Sequence, residues 1–170
     1  MSALPRRWMH SLGVAKRAAL LASITGDDFD LLCAAALLHD VGYAPRLAHT
    51  GFHALDGARF LRDEHGSDAR LMKLVANHSF ALLEAEERGL RSDLESEFPQ
   101  SSTESLTDAL VWCDMTTTPD GEPTTTAERI AEICQRYGTH SLIGRFISRA
   151  SPEIHKAARR IDEALATHPR

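Results

Sequence analysis

His39-Asp40 follows directly on the apolar run 31–38, Leu-Leu-Cys-Ala-Ala-Ala-Leu-Leu. A buried segment that ends in two adjacent polar side chains must satisfy them, because desolvating an unpaired polar or charged group is costly. A bound cation satisfies both at once, since imidazole nitrogen and carboxylate oxygen are ordinary ligands of first-row metals. His10 precedes the pair, and His53, His78 and Asp114 follow it. Each is expected to begin or end a helix or to sit on a core-facing stripe, so a distributed histidine/aspartate metal site is the leading expectation.

The elements that must position these residues are helices. Ala and Leu dominate the apolar positions and β-branched runs are few, which favours helix over sheet. A first helix is predicted from Pro5 to Ile24, broken at Thr25-Gly26. Asp27 or Asp28 caps a second, which carries the apolar run and stops at Gly42. A loop through Pro45 leads to a third helix, from near Thr50 through Leu61 to about Gly66. Ser67 or Asp68 caps a fourth, with Leu71, Leu74, Val75 and His78 at helical spacing. Residues 84–104 are acidic and polar, with Pro99-Gln100-Ser101-Ser102 near their end, and are read as a mobile excursion or lid. Leu106, Leu110 and Asp114 share a stripe, Asp120-Gly121-Glu122-Pro123 is a turn, and two or three helices follow within 126–168, one of them after Pro152.

On that framework each candidate acquires a direction. His10 shares a stripe with Gly13, Val14 and Arg17, whose small members let the helix approach a metal; alone, it reads more readily as a solvent-facing histidine. Adjacent helical residues point about 100° apart, so His39 and Asp40 reach one ion only near a helix end, which Gly42 provides. As a plain surface residue Asp40 would oppose the helix dipole. His53 has Gly57 one turn on, and His49, four residues earlier, competes with it for the role. His78 and Asp114 each end an apolar face, where a lone buried carboxylate is unfavourable.

The 170 residues suffice for one compact domain, and a 43% hydrophobic content favours a folded globule. A net charge of -5 with no basic face gives no reason to expect nucleic-acid binding. Arginine outnumbers lysine, and guanidinium forks suit phosphate groups. Cys33, Cys113 and Cys134 form no CxxC pair and are expected as small buried core residues, in keeping with a reducing cytoplasm. No run is long enough to span a membrane, and no signal peptide is recognised. A cytoplasmic protein, with self-association into a homodimer left open, is the expectation.

The order His10, His39-Asp40, Asp114 resembles the HD-domain superfamily of metal-dependent phosphohydrolases. Ala36-Leu37-Leu38-His39-Asp40-Val41-Gly42 looks like its central motif. His53-Ala54-Leu55-Asp56-Gly57-Ala58 and Asn77-His78-Ser79 look like the extra histidine motifs of dinuclear members, with spacing similar to the branch that cleaves diadenosine tetraphosphate symmetrically. The resemblance covers residues 8–120. It implies an all-α, single-domain helical bundle over 1–170 with the metal centre between helices. His10, His39, Asp40 and Asp114 would hold one ion, and His53 and His78 a second, with Asp40 bridging. Iron, manganese, cobalt or zinc would suit this donor set. The implied activity is hydrolysis of a phosphoester or phosphoanhydride in a nucleotide or similar small phosphorylated metabolite by metal-activated water. His39, Asp40 and Asp114 would be catalytic, and Arg17, Lys16 and Arg46 would contact phosphate. A metal-containing nucleotide sensor that does not turn its ligand over is the alternative; a domain of merely hydrogen-bonded histidines is the third reading.

Overall fold

The structure, a computed structural model, describes residues 4–100 and 104–168. Among them the only β-type pairing is an isolated bridge, Thr117 to Pro123; everything else regular is helical. The helices are α1 (Pro5–Ala18), α2 (Ala22–Thr25), α3 (Phe29–Leu38), α4 (His53–Asp63), α5 (Ala69–Asn77), α6 (Ala81–Glu87), α7 (Arg91–Glu97), α8 (Glu104–Met115), α9 (Thr126–Tyr137) and α10 (Leu142–Thr167). The all-α class expected from composition is what the chain adopts.

Three apolar clusters hold the bundle together. Val14, Ala18, Leu32, Ala36, Leu74, Leu110 and Ile161 join α1, α3, α5, α8 and α10. Phe52, Leu55, Ala58, Ala81, Leu94 and Phe98 join α4 to α7. Val111, Met115, Phe146, Ile147 and Ile154 join α8 to α10. At about 25 cal/mol per Å² of apolar surface, burial of this kind supplies most of the driving force for the fold.

Local signals explain several boundaries. The Asp68 carboxylate accepts hydrogen bonds from Arg70 N and Leu71 N and so caps α5. Thr125 and Glu128 form a reciprocal capping box that starts α9. Thr50 does not begin α4: its N–H and hydroxyl donate to the buried Asp56 carboxylate instead, and the helix starts at His53.

Three further expectations need correction. Residues 84–98 are not an excursion: α6 and α7 pack on the core through Ala85, Leu94 and Phe98. Their acidic face is matched by arginines, Arg59 and Arg62 on Glu97, and Arg145 and Arg149 on Glu87. Ser101 and Ser102 lie outside the described residues. Pro152 starts no helix; it sits inside the 26-residue α10, where the loss of one backbone bond is outweighed by the buried side chains of Ile147, Ile154 and Ile161. Of the cysteines only Cys113 is fully buried, because Cys33 and Cys134 sit at the edges of their apolar faces. Among the described residues no helix is long and apolar enough to cross a membrane.

Candidate metal centre

Two backbone approaches set the frame. A Cβ on Gly42 would lie 2.0 Å from His53 O, and Gly57 meets the same turn from the other side. Only glycine at 42 lets the turn 41–43 lie on the start of α4, which brings His39-Asp40 beside His53. On the opposite flank Gly13 touches the backbone of Gly121, which has a φ of +86. The small residue on the His10 stripe therefore admits the 118–121 turn, not an ion. That turn presents Thr118 O to His10 Nδ1 at 3.0 Å.

The six residues singled out in the sequence converge. His10 lies in the second turn of α1, not at an end; His39 and Asp40 follow α3, His53 opens α4, His78 follows α5, and Asp114 lies in the last turn of α8. His10 Nε2 is 3.0 Å from Asp114 Oδ1. His39 Nε2 is 3.6 Å from Asp40 Oδ1 and 3.9 Å from Asp114 Oδ1. His53 Nε2 is 3.5 Å from Asp40 Oδ1 and 3.1 Å from His78 Nε2. Ligand atoms of His10, His39 and Asp40 form one close group, and those of Asp40, His53 and His78 a second; Asp40 belongs to both.

The tautomers follow from the outer bonds. His39 Nδ1 donates to Ala36 O at 2.8 Å, and His78 Nδ1 donates to Val75 O at 2.6 Å. A carbonyl only accepts, so each of these nitrogens carries a proton, and Nε2 is the nitrogen left to offer a lone pair inward. His39 Nε2 is buried with no hydrogen-bond partner. An orphaned acceptor of this kind is expensive in a folded protein, and a divalent ion among these atoms removes the cost. The donor set, imidazole nitrogen with carboxylate oxygen, fits a divalent transition metal.

Charge is arranged accordingly. Burial holds His39 below the ordinary histidine range, against the pull of Asp40 and Asp114. Burial depresses His53 further still. Burial also opposes the His10 imidazolium, but the hydrogen bond and charge of Asp114 outweigh it and raise that pKa. For Asp40, burial favours the neutral acid, and the charges of His39, Arg7 and His53 overcome it, leaving the carboxylate strongly favoured. Asp114 is likewise held well below the usual carboxylate range, its burial outweighed by His10 and His39. Its second oxygen accepts a hydrogen bond from Ser79 Oγ. Ser79 and Phe80 both have positive φ, 49 and 62, a strained pair directly after His78.

The cavity over this floor measures about 90 Å³ before it opens to solvent. Its lining includes the cations Arg7, Arg129 and Arg136 and the apolar or aromatic side chains of Tyr43, Met115, Ile133, Tyr137 and Phe146. Arg7 Nη1 donates to Asp40 Oδ2 at 3.0 Å and lies over the Tyr43 ring, which stacks on His53 at 4.1 Å. A family model described as HD domain matches residues 7–169. The chain belongs to the HD-domain family. No solved structure matches it.

HD domains are metal-dependent phosphohydrolases as a superfamily and bind divalent metals, and the His/Asp groups described above occupy the expected place between helices. The three cations named for phosphate contact lie elsewhere in this HD domain. Arg17 donates to Thr116 Oγ1 and stacks on Trp112. Lys16 is exposed one position before it. Arg46 is exposed, 3.7 Å from Glu64. None lines the cavity. His49 is exposed and in neither close group, so His53 takes the place the two disputed. Arg7, Arg129, Arg136 and Ser79 are the residues that sequence reasoning missed. The 129, 133, 136, 137 spacing on α9 was the available signal, because these positions share one helical face.

Proposed function

We propose that this HD-domain protein is a hydrolase of phosphoesters or phosphoanhydrides, acting on a nucleotide or similar small phosphorylated metabolite. The observation that carries the reading is the partnerless, buried His39 Nε2 among two carboxylates and three further imidazoles. His10, His39, Asp40 and Asp114 would hold one ion, and His53 and His78, with Asp40 shared, a second. Iron, manganese, cobalt and zinc all suit that donor set. A bound divalent ion supplies a water of lowered pKa and polarises a phosphoryl oxygen.

The side chains do the rest. Asp40 and Asp114 are ionised and face the cavity, so they orient the attacking water by accepting its hydrogen bonds. Neutral His39 and His53 keep lone pairs, not positive charges, on the floor. Arg7 holds Asp40 from outside and adds positive potential where phosphate charge gathers. Met115, Ile133 and Phe146 give the non-reacting part of the substrate an apolar wall. The test is elemental analysis of the purified protein, followed by a phosphate-release assay on a panel of nucleotides and sugar phosphates. His39→Ala should lose metal and turnover together. Turnover retained without metal sinks the reading, and bound metal with no turnover on any substrate favours a nucleotide sensor.

A further inference from the structure

Beside the metal floor a second, smaller cavity of about 50 Å³ is lined by Arg6, Arg7, His10, Pro119, Arg129 and Arg136. It shares Arg7, His10, Arg129 and Arg136 with the main cavity, so these side chains form the partition between the two. Arg6 is bound to Asp120 through paired hydrogen bonds, and Arg7 to Asp40. Arg129 and Arg136 share one carboxylate: Glu132 Oε2 accepts from Arg129, and Oε1 accepts from Arg136. Asp120, Asp40 and Glu132 thus each hold one or two of the four guanidiniums, and no carboxylate lies among the residues that line the smaller cavity. Arg129 is only 7% exposed, and its Nε–H is buried with no partner. A buried guanidinium N–H without an acceptor carries the full cost of its lost hydration, which an arriving oxyanion repays.

We propose that Arg129 and Arg136, held in register by Glu132, form an anion subsite for a second phosphoryl or similarly charged group of the substrate, next to the one over the metal floor. The proposal rests on the phosphohydrolase reading for the identity of the first group only. Planar guanidinium forks match the oxygens of a tetrahedral oxyanion, and a shared carboxylate fixes their planes while leaving other N–H donors to the ligand. The four positions 129, 133, 136 and 137 present this charge and an apolar edge, Ile133 and Tyr137, on one face of α9. The capping box at Thr125 keeps that helix start rigid. A substrate with one charged group engages the floor alone; a substrate with two adjacent ones engages floor and wall together.

The experiment compares two non-hydrolysable probes on metal-loaded protein by calorimetry: methylphosphonate, with one charged group, and methylenediphosphonate, with two. Methylenediphosphonate should bind about tenfold or more tightly, and Arg136→Gln and Arg129→Gln should each remove most of that advantage. Methylphosphonate affinity and metal content should stay as in the parent. Arg136 is the more exposed of the two, so its variant tests the subsite even if Arg129→Gln does not fold. Equal losses for both probes would place these arginines on the first phosphate and overturn the subsite, as would unchanged binding of both. Failure of the parent to bind either probe overturns the subsite and the phosphohydrolase reading together. Selective binding without turnover on any substrate overturns only the hydrolase reading.

Discussion

His53 Nε2 and His78 Nε2 face each other across 3.1 Å, and His78 cannot be the donor while its Nδ1 proton is committed to Val75 O. Cis ligands with metal–nitrogen bonds of about 2.1 Å stand at a comparable separation. Either His53 lends a proton to this contact, or an ion takes both lone pairs. The second case yields a measurable partition: His53→Ala or His78→Ala should lower bound metal by about one ion per chain and leave the His10/His39 group loaded. Asp40→Ala, which removes the shared ligand, should lower both. Identical metal content in parent and His78→Ala would refute a second ion.

The approach of Gly42 to His53 O leaves no room for a methyl group. Gly42→Ala should cost about 1–3 kcal/mol through forced displacement of the turn. Because the displaced turn carries Asp40 away from His53, metal affinity should fall with the melting temperature. Calorimetry with and without added metal separates the two effects. A variant as stable and as metal-competent as the parent would show that the turn relaxes freely.

Arg7 compensates Asp40 from outside the floor, with its side chain 25% exposed. Arg7→Met keeps the packing on Tyr43 and removes the charge. In metal-free protein the loss should be about 1–3 kcal/mol, below the 3–5 of a fully buried broken pair because water still reaches the site. Saturating divalent metal should shrink the difference, since the cation takes over the neutralisation of Asp40. Chemical denaturation of both proteins, each with and without metal, reads this directly.

Far from the centre, the hydrogen bonds from Arg59, assisted by Arg62, hold the Glu97 carboxyl below the usual range. A depressed folded-state pKa adds stability above the unfolded value and loses it as pH falls through the folded one. Glu97→Gln should therefore be less stable than the parent by about 0.5–1 kcal/mol near neutrality, as expected of a partly solvated pair. The gap should close as the pH drops below about 4. A gap of constant size across that range would assign the effect to packing.

The candidate ligand residues were legible because each interrupts an apolar pattern that already fixes a helix: His39-Asp40 after residues 31–38, His78 after Leu74 and Val75, Asp114 after Leu110. The arginines were not, since an arginine on an amphipathic helix reads as solvated unless the facing element is known. Arg17 shares the His10 stripe yet turns to Trp112, while Arg129 reaches the cavity only because α9 folds back beside α8 and α10. Residues 84–98 misled for a related reason. Their glutamates look like a solvent-exposed loop until their arginine partners, drawn from α4 and α10, are in place. Leu90, Leu94 and Phe98, at four-residue spacing, were the helical signal beneath the charge.

His10 and Asp114 touch across 104 positions of chain. Closing so long a loop costs entropy that must be met before the contact returns anything. A chain still on the ribosome has all four histidines in hand but no carboxylate from α8 and no 118–121 turn to orient His10. The complete ion-binding floor thus exists only after most of the protein has been synthesised and folded. A fragment ending before α8 would carry His10, His39, Asp40, His53 and His78 without Asp114 or the turn that orients His10, so it should hold divalent metal less tightly than the finished molecule.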